Sequence, residues 1–558
     1  MEFREKLFEE KWNHHNRDAI IQQLKDTIYD IVIIGGGVTG AGVARESALR
    51  GLKVALIDKQ DFAAGTSSRS SKLAHGGFRY LTKGEFGLVR ESTTERNWLR
   101  NHFPHNVRPL SFLFVTHEGG KYGKGIMRVG VWLYDLLSNT FSKFKNYKKH
   151  RFLKPEEFKE MEPAYKSEKP VSGAAFFYDT NIDDARLTIE TIKEAVIRGA
   201  DAINYMEFKS FLKEEGRIVG IKCLDLEKNE ELEIYGKQVV NATGIWTDEI
   251  LEAYPEDVPK PVIRPTKGVH IQYPRENIQN INAFGLRSID DGRVFFVLSR
   301  GDVNVIGTTD TDYKGNLANP YCTKEDADYL IRSVKEVFPD AKLDYEHIIS
   351  TYAGARPLVM QKGKSESSVS RTHLIFWSKD GLLTITGGKL TTFRKMAEDL
   401  MKELEQREVF RGIKRKKNFS KQMFVIGLDK EDWEKYLSET KPNLDQDILE
   451  HLYQQYGEGA KKIIDMEIND SKLKERIISE HPFTVGEILY ILKNEQAPHL
   501  MDLVCRRTEM ALRIHHKKQN TVAEKVADIM AKEYGWDETQ KKKEIKEYLD
   551  HIKRTIFF

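Results

Sequence analysis

The chain has 558 residues, and its 88 basic and 85 acidic side chains leave a formal net charge of +3. This length predicts three or four domains with a sizeable core, and the near-balance of charge argues against a surface built wholly for nucleic acid. The three scattered cysteines, Cys223, Cys322 and Cys505, predict neither a disulfide framework nor a metal site, and they fit a reducing, cytoplasmic setting.

The first 30 residues carry acidic and basic side chains throughout. They therefore lack the apolar core of a signal peptide, and an amphipathic leading helix is expected instead. No uncharged apolar run elsewhere approaches the ~20 residues that a membrane-spanning helix needs. We expect a cytoplasmic chain without a transmembrane segment.

Residues 29–58 follow the order strand, glycine-rich turn, helix, strand and acid. The turn has the spacing Gly-x-Gly-x-x-Gly, and Asp58 ends the second strand about 20 residues later, where a dinucleotide-binding unit places its acid for a ribose hydroxyl. Gly35 permits the tight turn, Gly37 lets the backbone approach a pyrophosphate, and Gly40 lets helix and strand pack closely. The pattern predicts a bound dinucleotide but does not separate FAD from NAD.

A long loop rich in hydroxyl groups and glycine follows, from Asp61 to Tyr80. An NAD-binding domain has no need of such a loop, and an ordinary solvated loop is the plain alternative. Together with the glycine fingerprint, the loop resembles the FAD-dependent glycerol-3-phosphate dehydrogenases of the aerobic, quinone-reducing type. The resemblance runs from about Leu24 to Ala397 and implies a tightly bound FAD.

Between Asn101 and His150 the sequence changes character. The stretch from Lys121 to Arg151 has an aromatic and aliphatic middle and ends in a basic tract that begins at Lys143. Apolar residues flanked by lysines suit the interface of an anionic bilayer. A core helix with a solvated basic end fits the same pattern, so both interpretations stay open.

Segments at residues 202–205, 218–224 and 231–235 predict strands around polar turns. They lead to an apolar strand that ends in Ala242, Thr243 and Gly244. This ending resembles the second flavin segment of the family, where small residues let the backbone approach the cofactor.

Residues 263–352 contain short alternating strands with tight turns, which predict a mostly antiparallel sheet inserted between parts of the flavin domain. Such a sheet would roof the flavin. Its candidate functional residues are His270 and Thr309. A lone histidine in a strand is more often structural, so the residues alone leave the role of His270 open.

Two further motifs return the chain to the flavin. Arg356 stands between a small-residue turn and Pro357, while Gly388, Lys389 and Thr391 belong to a strand, Gly-Gly turn and helix start. The second motif would aim backbone N–H groups at an anion, such as the edge of a reduced flavin. Surface cations are the alternative for Arg356 and Lys389, which their places beside tight turns disfavour.

From about Lys414 the composition becomes charged, and helix-type spacing recurs to the end. This predicts a separate helical domain. We expect it to cap the rest of the chain or to form a homodimer, and it carries no evident catalytic constellation.

The predicted fold is α/β, with a Rossmann-like FAD-binding domain, an inserted mostly antiparallel substrate domain of the D-amino-acid-oxidase type, and an α-helical C-terminal domain. The predicted boundaries give the FAD-binding domain residues 1–105, 176–260 and 351–412, the substrate domain 106–175 and 261–350, and the helical domain 413–558.

The resemblance also assigns residues to the cofactor and to the substrate, sn-glycerol 3-phosphate. Arg79, Arg356 and Lys389 would clamp the phosphate and oxygens of the substrate, and Tyr80 and Thr309 would complete the pocket. Arginine suits phosphate because its planar fork gives paired hydrogen bonds. The implied FAD contacts are Gly35, Gly37, Gly40, Asp58, Thr66, Ser67, Ser70, His75, Gly77, Ala242, Thr243, Gly244, Gly388, Lys389 and Thr391.

Oxidation of a secondary alcohol also needs a proton acceptor for the hydroxyl group. By resemblance this is His270, while Arg356 stabilises the developing alkoxide and a membrane quinone receives the electrons from FAD. Peripheral contact with the membrane surface would follow. The alternatives are a glycerophosphate oxidase that passes electrons to oxygen, an FAD amine oxidase in which Arg356 holds a carboxylate, and a flavoprotein without catalysis. The extra cations Arg79 and Lys389 argue against the amine oxidase.

Overall fold

The structure is a computed structural model that describes residues 10–120, 123–140, 143–252, 254, 258, 260–361, 372–407, 410 and 424–556. The described strands, in chain order, are β1 (Tyr29–Ile34), β2 (Val54–Ile57), β3 (Leu73–Ala74), β4 (Arg108–His117), β5 (Arg151–Leu153), β6 (Val171–Asn181), β7 (Asp201–Ile203), β8 (Met206–Glu214), β9 (Arg217–Asp225), β10 (Glu230–Asn241), β11 (Ile263–Pro274), β12 (Ala283–Arg287), β13 (Val294–Arg300), β14 (Val303–Gly307), β15 (Thr311–Asp312), β16 (Ser350–Val359), β17 (His373–Trp377) and β18 (Leu383–Gly387).

The α-helices are α1 (Arg17–Asp26), α2 (Val38–Leu49), α3 (Phe86–His102), α4 (Lys124–Thr140), α5 (Pro155–Met161), α6 (Asp184–Ile197), α7 (Thr247–Leu251), α8 (Lys324–Lys335), α9 (Phe393–Leu404), α10 (Lys430–Thr440), α11 (Gln446–Tyr456), α12 (Glu458–Asn469), α13 (Val485–Asn494), α14 (Leu500–Asp502), α15 (Met510–Arg513), α16 (Gln519–Tyr534) and α17 (Glu538–Thr555).

The first sheet has the strand order β17-β18-β10-β1-β2-β7, in which β18, β10, β1, β2 and β7 run parallel. β1 and β2 are buried apolar runs, as a parallel sheet covered on both faces requires. Helices α2, α6 and α9 cover one face, and the antiparallel pair β8–β9 continues from β10. This confirms the predicted Rossmann-like domain, in which the ligand is expected at the carboxyl ends of the strands.

The second sheet has the order β15-β11-β14-β13-β12-β4-β6-β3, with β16 beside β11 and β5 beside β6. Its pairs are antiparallel except β12 with β4, which confirms a mostly antiparallel inserted sheet. The sheet extends past three of the predicted boundaries, because β3 lies before residue 105, β6 crosses residues 175 and 176, and β16 lies almost wholly after residue 350. Strand periodicity predicts a strand but not the sheet that it joins.

Helices α10–α17 form the C-terminal domain around an apolar core of their own. A π-helical turn of this domain, Leu503–Arg507, packs against the loop that follows β2. There the buried carboxylate of Asp61 meets Arg507 at 2.7 and 2.8 Å and Arg506 at 2.5 Å. Burial alone would raise the pKa of Asp61, but the two guanidinium groups hold it below its ordinary value. The domain is therefore joined to the flavin domain by paired buried charges.

Among the described helices, none combines the length and the apolar character that a bilayer-spanning segment needs.

Candidate functional site

A cavity of about 770 Å³ opens between the two sheets. Its floor is the carboxyl end of the parallel sheet, and strands β11, β13 and β16 of the second sheet roof it. Most of the residues that the sequence predicted for the site line this cavity. They are Gly35, Gly37, Asp58, Thr66, Ser67, Ser70, His75, Arg79, Tyr80, Ala242, Thr243, Gly244, His270, Arg356, Gly388, Lys389 and Thr391.

The glycine fingerprint forms a cradle that side chains would fill. Gly35 has φ +108°, and a Cβ there would lie 2.7 Å from the Ala242 carbonyl oxygen. A Cβ on Gly40 would collide with the Gly35 carbonyl oxygen, because α2 packs directly on the turn. The first turn of α2 carries no acidic side chain, so its positive end is suited to a phosphate group. These features fit the pyrophosphate of a dinucleotide.

Asp58 is fixed at the end of β2 by the backbone of the same turn. Its Oδ2 accepts the Gly36 N–H at 2.7 Å, and its Oδ1 accepts the Gln60 N–H at 2.8 Å. Burial raises the pKa of Asp58 to about 6, against the effect of these two bonds. A ribose hydroxyl donating to this carboxylate would favour its charged form.

The hydroxyl-rich loop is attached at both walls of the cavity. The Ser67 Oγ accepts the Val38 N–H at 2.9 Å, so the loop touches the start of α2. The Thr66 hydroxyl donates to the Ala355 carbonyl of the second sheet at 2.6 Å. The loop therefore bridges the dinucleotide cradle and the roof.

Three residues of the predicted site lie beside the cavity rather than on its lining: Gly40, Gly77 and Thr309. Gly77 has φ +75°, and the ring of Tyr80 occupies the space where its Cβ would lie. The Thr309 hydroxyl accepts the Val269 N–H at 3.1 Å, and its carbonyl accepts from Arg356 at 3.3 Å. Each of the three shapes the wall through a neighbour.

Arg356 is held in a fixed orientation at the roof. One nitrogen donates to Asp310 at 2.9 Å, and the other donates to the Thr308 hydroxyl at 2.8 Å. Gly268 gives it room, because a Cβ at that position would collide with the guanidinium group. Asp310 was not predicted, although it directly follows Thr309 in the sequence. It orients Arg356 and balances part of its charge.

Two more cations approach the cavity around Tyr80. The Lys389 Nζ lies 4.1 Å from the centre of the Tyr80 ring and donates to the Ser92 hydroxyl at 3.0 Å. The Arg79 guanidinium carbon lies 5.4 Å from the same ring. Burial alone would lower the pKa of Arg79, but Tyr80 and Asp310 raise it, so Arg79 stays charged. The cavity thus gathers positive charge at one side.

His270 lies on β11 with 2% of its surface exposed. Its Nε2 is 3.0 Å from the Ser71 hydroxyl, and the ring stacks on Tyr352 at 4.6 Å with 12° between the planes. Its Nδ1 is buried and has no hydrogen-bond partner among the residues that the structure describes. Burial, and then the positive charges of Arg356 and Lys72, lower the pKa of His270 well below 6.5. The imidazole is therefore uncharged at neutral pH and able to accept a proton.

The sequence motifs missed the residues that hold His270: Ser71, Lys72 and Tyr352. Ser71 and Lys72 stand in the predicted loop, but no motif distinguishes them from their neighbours. Tyr352 precedes Arg356 by four residues, on the same strand β16. Its alignment against His270 follows from the antiparallel register of β11 and β16, which places the two residues opposite each other.

Comparison with known proteins also indicates an FAD-binding enzyme. The chain matches the family described as FAD dependent oxidoreductase over residues 30–394, and the C-terminal domain of alpha-glycerophosphate oxidase over residues 384–541. The aerobic glycerol-3-phosphate dehydrogenases of Staphylococcus epidermidis and Bacillus subtilis are each 35% identical to it. The first alignment covers 94% of both chains, and the second covers 94% of this chain and 95% of the relative.

Solved structures agree with this match. The glycerol-3-phosphate dehydrogenase from Bacillus halodurans, complexed with FAD, superposes with a TM-score of 0.79 at 28% identity, covering 98% of this chain and 99% of that chain. The glycine oxidase from Geobacillus kaustophilus, with a TM-score of 0.52 at 16% identity over 68% of this chain and 95% of that chain, shares the fold. The cofactor of this chain is FAD, which its cradle fits. The chain belongs to the FAD-dependent oxidoreductases and, among them, to the aerobic glycerol-3-phosphate dehydrogenases.

Proposed function

We propose that the protein oxidises sn-glycerol 3-phosphate to dihydroxyacetone phosphate and passes the electrons to a membrane quinone. One observation carries the proposal: Arg79, Arg356 and Lys389 line the same cavity as the FAD cradle and the uncharged His270. A small substrate in this cavity would have its anionic group near three cations and its hydroxyl near a proton acceptor. The names of the two relatives and of the FAD-bound structure support the substrate.

Bound FAD supplies the two-electron acceptor that takes the hydride from C2 of the substrate. The residues of the chain do the rest. Arg79 and Lys389 hold the phosphate, and the fork of Arg356 contacts the oxygens and stabilises negative charge on the reacting one. His270 takes the hydroxyl proton on a ring nitrogen. The second sheet covers the site and limits the access of water.

The cations favour a phosphate over a carboxylate. An amine oxidase acting on an amino acid needs one arginine for the carboxylate, whereas the basic side chains on the lining of this cavity include Arg79, Arg356 and Lys389, which together suit a doubly charged phosphate. Tyr80 keeps two of them close together, since both Arg79 and Lys389 lie against its ring.

The purified protein should bleach under anaerobic conditions when sn-glycerol 3-phosphate is added, with one equivalent of FAD reduced per chain. Glycerol and glycine should leave the yellow colour unchanged, because neither brings a phosphate to the cations. Equal bleaching by glycerol would contradict the proposal, and bleaching by glycine would favour an amine oxidase. Mixing the reduced protein with a quinone or with oxygen then decides the acceptor: rapid reoxidation by oxygen alone would identify an oxidase.

The proposed membrane contact is the outer face of α4. Ile126, Val129 and Trp132 are 64%, 61% and 55% exposed, and with Leu136 they recur at three- and four-residue spacing along one side of the helix. Exposed basic side chains lie at the start of the helix, Lys124, and in the segment that follows it, Lys143, Lys145, Lys148 and Lys149. Lys121 and Tyr122, which the sequence placed in the same stretch, lie outside the described residues. An apolar face beside lysines supports binding to an anionic bilayer, where a quinone is dissolved.

Trp132→Ala should weaken binding to anionic liposomes roughly 10- to 150-fold, because burying one large apolar side chain contributes about 1.5–3 kcal/mol. Binding of the parent should also fall as salt screens the lysines over a Debye length of about 8 Å. Cosedimentation measures both effects. Tyr321→Ala, which truncates another exposed aromatic residue, is the matched control. If the two variants sediment alike, α4 is not the membrane face.

A further inference from the structure

His270 is held on two sides, by a hydrogen bond and by the stacking of an aromatic ring. The Ser71 hydroxyl bonds its Nε2 at 3.0 Å, and Tyr352 stacks on its ring. The Tyr352 hydroxyl also donates to the Ser70 carbonyl at 3.1 Å. The Ser70–Ser71 turn therefore fixes the imidazole both directly and through Tyr352.

Lys72 anchors this turn from behind. It is 1% exposed and has φ +53°, an unfavourable backbone angle for a residue with a side chain. Its Nζ donates to Asp184 at 2.7 Å, and the other oxygen of Asp184 accepts the Ser70 N–H at 2.9 Å. The Lys72 N–H donates to the Ser70 hydroxyl at 3.0 Å. Lys72 and Asp184 therefore hold the backbone on both sides of Ser71.

The second carboxylate on Lys72 comes from the C-terminal domain. Glu509 lies 3.2 Å from the Lys72 Nζ, 3.3 Å from Arg300 at the end of β13, and 3.1 Å from Arg513. Burial alone would raise the pKa of Glu509, but Arg300 and Lys72 hold it well below its ordinary value. This carboxylate thus joins the flavin loop, the second sheet and the helical domain at one buried point.

We propose that Glu509 of the C-terminal domain positions His270 for proton transfer, acting through Lys72 and the hydroxyl of Ser71. The inference rests on the proposed function, since it takes His270 as the proton acceptor. Glu509, Lys72 and Ser71 are positioning residues, because none of them needs to touch the reacting atoms. The helical domain, which the sequence suggested was only structural, then contributes to the rate of the chemical step.

The first test compares Ser71→Ala with Ser71→Thr in the FAD-loaded protein. Ser71→Ala should slow flavin reduction by sn-glycerol 3-phosphate about tenfold, as expected for one lost hydrogen bond, with little change in the substrate dissociation constant. Ser71→Thr keeps the hydroxyl and should retain most of the rate. Ser68→Ala, in the same loop but off the cavity lining, is the matched control.

The second test links Ser71 to His270 and to Glu509. In a His270→Asn background, Ser71→Ala should cause no further loss, since the group that it positions is gone. Glu509→Gln should slow reduction by a similar factor and increase hydrogen exchange of the amides of residues 70–72. Asp302→Asn, which removes a surface partner of Arg513, should change neither.

Four results would overturn the inference: a normal reduction rate in Ser71→Ala, a normal rate in Glu509→Gln, a full effect of Ser71→Ala in the His270→Asn background, or a loss confined to substrate binding. If Glu509→Gln does not fold, Glu509→Asp takes its place, because it keeps the charge but draws the carboxylate away from Lys72. It should also slow reduction, and the parent rate in that variant would overturn the inference. If the substrate fails to bleach the parent protein itself, the proposed function fails, and that result is distinct from any of these.

Discussion

His270→Asn is expected to slow flavin reduction by sn-glycerol 3-phosphate about 10²–10⁴-fold, the usual contribution of a positioned proton acceptor. Asparagine keeps a polar group of similar reach but cannot take a proton near neutral pH. The dissociation constant of the substrate should change little, because the cations hold its phosphate. Anaerobic stopped-flow absorbance at several substrate concentrations separates the two quantities.

The pH dependence gives a second check on His270. Because burial and two nearby cations lower its pKa well below 6.5, the uncharged form persists as the pH falls from 8 to 6.5 and is lost only in more acidic solution. The ratio of the parent rate to the His270→Asn rate should therefore stay constant over that range, and the titration of the substrate phosphate cancels in it. A ratio that already falls above pH 6.5 would contradict this protonation state.

The same substitution at a surface site is the control for His270. His347→Asn changes an exposed histidine that pairs with Asp344 on the same inserted domain. The flavin of the His347→Asn variant should be reduced by the substrate at the parent rate. If the flavin of the His270→Asn variant is also reduced at that rate, the proton acceptor is another group, such as a water molecule in the cavity.

Arg356→Lys is expected to lower kcat/KM for sn-glycerol 3-phosphate roughly 30- to 1,000-fold. This corresponds to a loss of about 2–4 kcal/mol of transition-state stabilisation. Lysine keeps the charge, but it cannot bond Asp310, Thr308 and the substrate at once as the planar guanidinium can. Steady-state kinetics with a dye acceptor measures the loss.

Arg332→Lys is the matched control, because Arg332 forms a surface ion pair with Asp290. Its kcat/KM should equal that of the parent. An Arg356→Lys enzyme with unchanged kcat/KM would place the substrate away from the roof of the cavity and leave Arg79 and Lys389 as the anion site.

The sequence alone predicted the elements whose signals lie within a short stretch of neighbouring residues. The glycine fingerprint, the apolar strands β1 and β2 and the acid Asp58 follow a fixed spacing, and the structure has them in that order. The assignment of β6 and β16 to the second sheet could not be predicted, because alternation marks a strand and not its partner. The same limit applies to α4, whose exposed apolar face is known only once its buried neighbours are placed.

The residues of the site also differ in whether a local motif could identify them. Cavity residues beside tight turns, such as Arg356 and Gly388, could be found from motifs because the turn itself is a sequence signal. Lys72 and Glu509 could not, since each is an ordinary charged residue until the fold brings the two together in the interior. Their importance arises from burial, which no short motif encodes.

The ion pairs of Asp61 with Arg506 and Arg507 also bear on how the protein is made. Asp61 is synthesised hundreds of residues before Arg506 and Arg507. Burying its carboxylate without these partners would destabilise the fold by several kcal/mol. The loop around Asp61 is therefore costly to close in the nascent flavin domain until Arg506 and Arg507, in the last tenth of the chain, have emerged. We expect FAD to be captured late in biogenesis, after translation of the arginines that complete the loop.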